Sequence, residues 1–294
     1  MEREIREFIS YLHNSKRTSY NTEVSYQRDL KKMAAFLEKK GISDFGSVRG
    51  IDLDDYLLYM GNENFASSTI SRNVASIRAF FQYLYKVKRI YSDPSDTLKS
   101  PKVEKKMPEI LSVAEVERLL AQPDIQTEKG QRDSAMLEVL YATGMRVSEL
   151  IHLSLSDVNL RLSYIVCHDE NKERVIPVGS ICRDALFRYI HNARPSFVKD
   201  QEQDVLFTNY SGKPMSRQGF WKVLKGYTDE AGIRKDITPH TLRHSFAVHM
   251  LQNGADVRSV QELLGHSDIS TTQVYLNMNM QKVREVYLKS HPRV

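Results

Sequence analysis

Residues 238–247 read Thr-Pro-His-Thr-Leu-Arg-His-Ser-Phe-Ala. Thr238 makes a good N-cap, because its hydroxyl can accept from a free N–H of the first helical turn. Pro239 suits the first helical position, where its missing N–H costs nothing. The pattern therefore predicts a helix from 239 to Gly254. His240 and Arg243 stand one turn apart on it and share a face. Working outward, Asp256 caps a further helix that stops at Gly265, a residue suited to a left-handed helix end. His266 follows at once, and a short helix from Ser270 carries Tyr275. A last amphipathic helix covers about Met280–Lys289, with Val283, Val286 and Tyr287 on its apolar side.

Upstream, Ser112 and Glu115 form a capping box ahead of Val116, Leu119 and Leu120. Arg132–Thr143 reads as a helix ended by Gly144, and Arg146 and Glu149 follow directly. Tyr164–Cys167 and Arg174–Val178 are rich in β-branched residues. With His168–Glu173 between them they predict a β-hairpin. Residues 111–294 thus read as a domain that is mainly α with a small β-sheet. Residues 1–90 read as four helices. Tyr26, Leu30, Met33 and Leu37 make one helical stripe, and Ile70, Val74, Ile77, Phe81 and Leu84 another, with Arg72 and Arg78 off that stripe. Between the domains, 91–110 holds three prolines and four lysines with little periodicity, the mark of a basic linker.

The chain has 294 residues, 41% hydrophobic and 27% charged, which suits a two-domain globular protein. No apolar run is long enough for a membrane span and the N-terminus has no signal-peptide pattern, so a cytoplasmic protein with no membrane partner is expected. Cys167 and Cys182 form no CxxC pair, which argues against a disulfide framework or a cysteine-rich zinc site. Of the net charge of +5, residues 1–110 carry +4, from 19 Lys+Arg against 15 Asp+Glu. That placement favours a polyanionic partner bound by the N-terminal part and its linker.

Arg146, His240, Arg243, His266 and Tyr275 each have an ordinary explanation alone: a surface charge, a solvated helix face, a helix C-cap, a packing tyrosine. Together they suit attack on a phosphodiester. The transition state gathers charge on the non-bridging oxygens, and a guanidinium meets those with two parallel charge-assisted hydrogen bonds. Arg146 and Arg243 come from separate segments and could clamp one phosphate from two sides. His240, beside Arg243, can move protons near neutral pH. His266 could add a hydrogen bond. Tyr275 could be the nucleophile once a base and a cationic site lower the cost of ionising it. With the arginines supplying positive charge, no metal or other cofactor is required.

The chain resembles the Xer-type tyrosine recombinases of the wider phage integrase family. The likeness is carried by Tyr-Ala-Thr-Gly-Met-Arg-Val-Ser-Glu-Leu (141–150), the 238–247 segment and Leu-Leu-Gly-His-Ser-Asp-Ile-Ser-Thr-Thr-Gln-Val-Tyr (263–275). The resemblance implies a SAM-like four-helix core-binding domain that clasps DNA, joined to a tyrosine-recombinase catalytic domain. It implies that Arg146 and Arg243 bind the scissile phosphate, that His240 serves acid–base transfer and that His266 supports the transition state. Tyr275 then attacks phosphorus, forms a 3′-phosphotyrosyl link and releases a 5′-hydroxyl, with no need for ATP. Glu149 is implied as support. The partners implied are a double-stranded DNA recombination site and three further subunits, identical or paralogous, with the 280–289 helix docked into a neighbour.

One element departs from the family pattern. The hairpin lysine is expected just before Asn-Lys-Glu-Arg, and that position holds Asp169 in Cys-His-Asp-Glu-Asn-Lys-Glu-Arg (167–174). Lys172 is the nearby substitute if the hairpin register allows it. The family offers two roles, resolution of chromosome dimers, which the compact length favours, and integration of a mobile element. A relative that binds DNA without cutting it is a third reading. A zinc hydrolase on His240 and His244 is the rival outside the family, and Thr241 stands where that motif needs glutamate.

Overall fold

The computed structural model describes residues 1–16, 18–101, 109–169, 172–198, 204–265 and 287–293, with the backbone alone at 172. It divides into two compact units, 1–106 and 107–294. No helix among the described residues is long and apolar enough to cross a membrane.

The first unit is built from α1 (Glu2–Tyr11), α2 (Tyr20–Lys39), α3 (Gly50–Asn62) and α4 (Ser67–Lys86), with a π turn at Leu12–Lys16. Ser19 caps α2 by accepting from Thr22 N–H. The two predicted stripes form its core. Leu30, Met33 and Leu37 face Val74, Ile77, Phe81 and Leu84 in one cluster, with Tyr26 and Ile70 at its edge. Phe8 and Phe45 meet the Phe80 ring edge-on at 5.4 and 4.8 Å. Arg72, off the stripe, is not idle: its guanidinium forks the buried Asp29 carboxylate at 2.8 and 2.9 Å and ties α4 to α2.

The segment expected as a linker is held at both ends. Leu98 is buried in the first core, Arg78 donates to its carbonyl, and Ser71 donates to the Pro101 carbonyl at 3.2 Å. Leu111 is buried in the second unit, and its N–H donates to Ser245 Oγ at 2.9 Å. Burying Leu98 contributes about 1.5–3 kcal/mol towards folding 92–101 back onto α4, alongside the Ser71 and Arg78 hydrogen bonds.

The second unit runs α5 (Val113–Leu120), α6 (Glu128–Thr143), α7 (Val147–His152), β1 (Val158–Asn159), β2 (Tyr164–Asp169), β3 (Lys172–Pro177), α8 (Ser180–Arg188), α9 (Arg194–Phe197), α10 (Arg217–Glu230), α11 (Pro239–Gln252) and α12 (Val257–Leu264). The strands form an antiparallel sheet in the order β1-β2-β3. The hairpin is tighter than expected: β2 runs on to Asp169 and β3 begins at Lys172, which pair across the end. From Arg132 to Thr143, α6 is buried on every side, as a central helix must be. It stops at Gly144, in the left-handed region at φ +59°. A Cβ there would stand 2.3 Å from the Phe246 ring.

The C-terminal residues pack on their own unit. Tyr287 is fully buried and its ring stacks on His291 at 4.9 Å. His291 Nε2 donates to the Tyr141 carbonyl at 3.3 Å, and its Nδ1 accepts from Arg293 N–H at 3.2 Å. The Arg293 guanidinium pairs with Glu138 of α6. At the end of the segment expected to dock into a neighbouring subunit, Tyr287 uses its ring within its own chain. Met280, Val283 and Val286 lie outside the described residues.

Candidate active site

The site is assembled at helix ends. Arg146 precedes α7, and Glu149, three residues on, turns its carboxylate back to accept from Arg146 N–H at 2.6 Å and from Arg146 Nη1 at 3.1 Å. Arg243 lies in the first half of α11, where the Thr238 cap and Pro239 fix the start of the helix. It is buried, and donates to the Gly144 carbonyl at 2.6 Å and the Leu264 carbonyl at 2.7 Å. His240 is exposed one turn earlier on the same helix.

A third arginine enters from the sheet. Arg174 of β3 pairs in register with Cys167, and both are buried. Its Nη1 and Nη2 fork the two oxygens of Glu149 at 2.9 and 2.8 Å, and its Nε donates to the Leu263 carbonyl at 2.9 Å. Arg146 Nη2 reaches the Gly265 carbonyl at 3.4 Å. Three guanidiniums thus take three successive carbonyls, 263, 264 and 265, at the end of α12. Helix C-termini leave such carbonyls unpaired and carry partial negative charge, so they suit cations.

The charges in the site are unequal. Burial on its own raises the Glu149 carboxyl, but the Arg174 fork and the Arg146 contacts outweigh it and hold the group below its ordinary value. Burial, and then the charges of Arg146 and Arg174, push the Arg243 guanidinium down to about 10, which still leaves it charged at neutral pH. A cation disfavoured by neighbouring cations marks a place where an added anion is welcome.

Asp169 meets Arg146 directly. Its Oδ2 accepts from Arg146 Nη1 at 2.8 Å, because residues 165, 167 and 169 share one face of β2 and that face looks onto the site. On the opposite face His168 bonds Asp157 Oδ1 at 2.8 Å, which raises the imidazole above its ordinary value. Lys172 stands in the backbone register opposite Asp169. His266 and Tyr275 lie outside the described residues. Of the residues singled out in the sequence, Arg146, Glu149 and Arg243 are brought together, with His240 on the same helix as Arg243. Arg174 was missed. Its signal was an arginine at an inward strand position, in phase with Ile176, where a charge needs a buried partner.

Residues 109–282 match the Phage integrase family, and residues 5–88 match its N-terminal SAM-like domain. The chain belongs to the phage integrase family. Tyrosine recombinase XerD of Staphylococcus aureus strain N315 is 44% identical over 294 residues, covering 100% of both chains. Tyrosine recombinase XerD of Staphylococcus epidermidis strain ATCC 12228 is 43% identical over 290 residues, 98% of each. Among solved structures, XerA recombinase is 28% identical with a TM-score of 0.50, over 99% of this chain and 100% of that one. XerH site-specific recombinase bound to difH substrate, in its pre-cleavage complex, shares the fold with a TM-score of 0.70 at 20% identity, over 99% of this chain and 92% of that one. This integrase-family chain is a site-specific tyrosine recombinase.

Proposed function

We propose that this recombinase resolves joined chromosome copies by cutting and rejoining a double-stranded DNA recombination site in the cytoplasm, through a 3′-phosphotyrosyl link at Tyr275. The observation that carries the proposal is the convergence of Arg146 and Arg243 on adjacent carbonyls of one helix end. A phosphate set against both would receive charge-assisted hydrogen bonds from separate segments, placed before the reaction begins. Tyr275 Oη attacks phosphorus and a P–O bond forms. The bond from phosphorus to the 5′ oxygen breaks, and that oxygen leaves as a 5′-hydroxyl. His240 takes part in the proton transfers, with the nucleophile's proton leaving as the attack proceeds. His266 donates to a non-bridging oxygen. Lys172 supplies the proton to the leaving oxygen in place of the lysine that Asp169 displaces. A 5′-hydroxyl of the partner strand then reverses the steps, so the phosphodiester bond energy is conserved. Four subunits act on two duplexes, with residues 1–90 clasping DNA.

The test is covalent capture. The protein is incubated with nicked duplexes bearing chromosomal resolution sites and with the ends of mobile elements, and adducts that survive denaturation are scored. An adduct on resolution sites that vanishes in Tyr275→Phe is expected. Adducts on element ends alone would make it an integrase. Binding to a resolution site with no adduct would make it a non-cleaving relative.

A further inference from the structure

Resting on the assignment of Arg146 as a phosphate-binding group, we propose that Arg174 is a positioning residue for strand cleavage, setting the Arg146 guanidinium through the carboxylate they share. Each Glu149 oxygen is divided between the two arginines. Oε1 accepts from Arg174 Nη1 and Arg146 Nη1, and Oε2 accepts from Arg174 Nη2 and the Arg146 backbone N–H. Arg174 is 6% exposed, so it works from behind. Its charge offsets that of Glu149. Without it, the full carboxylate charge would fall on Arg146 and compete with phosphate for the same N–H groups. Its fork also fixes the plane of the carboxylate, and with it the direction from which Arg146 Nη1 is held. Through Nε it pins the Leu263 carbonyl, next to the two carbonyls that Arg243 and Arg146 take. β3, α7 and the end of α12 are therefore locked by one side chain. Lysine keeps the charge but cannot reproduce a fork plus a third bond.

The experiment compares single-turnover cleavage by the full-length protein on two nicked duplexes. One carries the ordinary scissile phosphate. The other carries a methylphosphonate there, in which a methyl group replaces one non-bridging oxygen and removes its charge. Arg174→Lys is expected to keep DNA binding within about twofold and to lower phosphodiester cleavage about 10- to 100-fold, by analogy with the loss of a residue that orients a metal ligand. The deficit is expected to shrink to a few-fold on the methylphosphonate, where less is asked of Arg146. A deficit of equal size on both duplexes, or none on either, overturns the proposal. If Arg174→Lys does not melt cooperatively, the Arg174→Met, Glu149→Met pair takes its place, since apolar replacement of a whole buried ion pair is commonly tolerated. The pair removes the competing carboxylate together with its partner, so the substrate-selective loss expected is the part that comes from Arg146 Nη1 no longer being held, and the same outcomes overturn it. Arg146→Ala runs beside them. Wild-type cleavage by Arg146→Ala would remove the phosphate assignment itself, whereas loss in Arg146→Ala without loss at Arg174 would sink only the positioning role.

Discussion

Asp169→Asn should make the enzyme faster. In the free protein the carboxylate of Asp169 accepts from Arg146 Nη1 at 2.8 Å, so with Arg146 proposed to bind phosphate, Asp169 competes with it there. Both partners are partly open to solvent, at 35% and 41% of side-chain surface, which puts the pair near the modest end of ion-pair energies, about 1 kcal/mol. Freed from that competition, cleavage at sub-saturating DNA should rise about 5-fold, since about 1.4 kcal/mol is tenfold. Asparagine keeps the size and an acceptor oxygen, so the melting temperature should move little. The assay is single-turnover cleavage of a nicked duplex across a salt series, in which the gain should fall as salt screens the pair. Asp169→Lys adds a proton donor at the position where the family resemblance implies a lysine and should be faster still. That extra gain should vanish when the 5′ leaving oxygen is replaced by sulfur, which departs without a proton. A rate for Asp169→Asn at or below wild type throughout the salt series would refute the competition and make Asp169 a support for Arg146 instead.

Gly144→Ala should destabilise the second unit by about 2–4 kcal/mol, read as a lower melting temperature, because a Cβ meets the Phe246 ring at 2.3 Å and φ is +59°. Acid should loosen the C-terminal packing. Burial, with the nearby charge of Arg293, pushes His291 down to about 4, well below its ordinary 6.5, so the unfolded chain binds the proton more readily. The stability held by the neutral ring is complete above about pH 6.5 and is lost progressively as pH falls towards 4. The total is roughly 3 kcal/mol, at about 1.36 kcal/mol per pKa unit. Denaturant midpoints measured between pH 7 and 4 should fall less in His291→Gln than in wild type. Parallel profiles would exclude His291 as the source.

The legible parts of this fold are those decided locally. Thr238 and Pro239 announce α11, Asp256 and Gly265 bound α12, and Ser112 with Glu115 opens α5, because caps and stops act within one turn. The stripes of α2 and α4 foretold the first core for the same reason. What stayed hidden depends on partners far away in sequence. Leu98 looks like one apolar residue in a linker until α4 lies beside it. Arg174 is an arginine among β-branched neighbours until the strand register turns it inward onto Glu149, 25 residues away. Asp169 was legible as a departure from the family pattern, but not as a partner of Arg146, because that requires the parity of β2 against the α7 terminus. Tyr287 was legible as apolar, and only packing assigns it to its own unit.

The packing of 287–293 also bears on the order in which the molecule is made. Tyr141 and Glu138 of α6 wait about 150 residues for His291 and Arg293. Among the described residues, the core of the first unit draws on residues up to Leu98. A chain emerging from the ribosome can therefore complete its helical unit while the catalytic unit still lacks the last side chains that close α6. The helical unit would mature before the catalytic one, and a polypeptide lacking 287–293 would carry a catalytic unit whose α6 still lacks those partners.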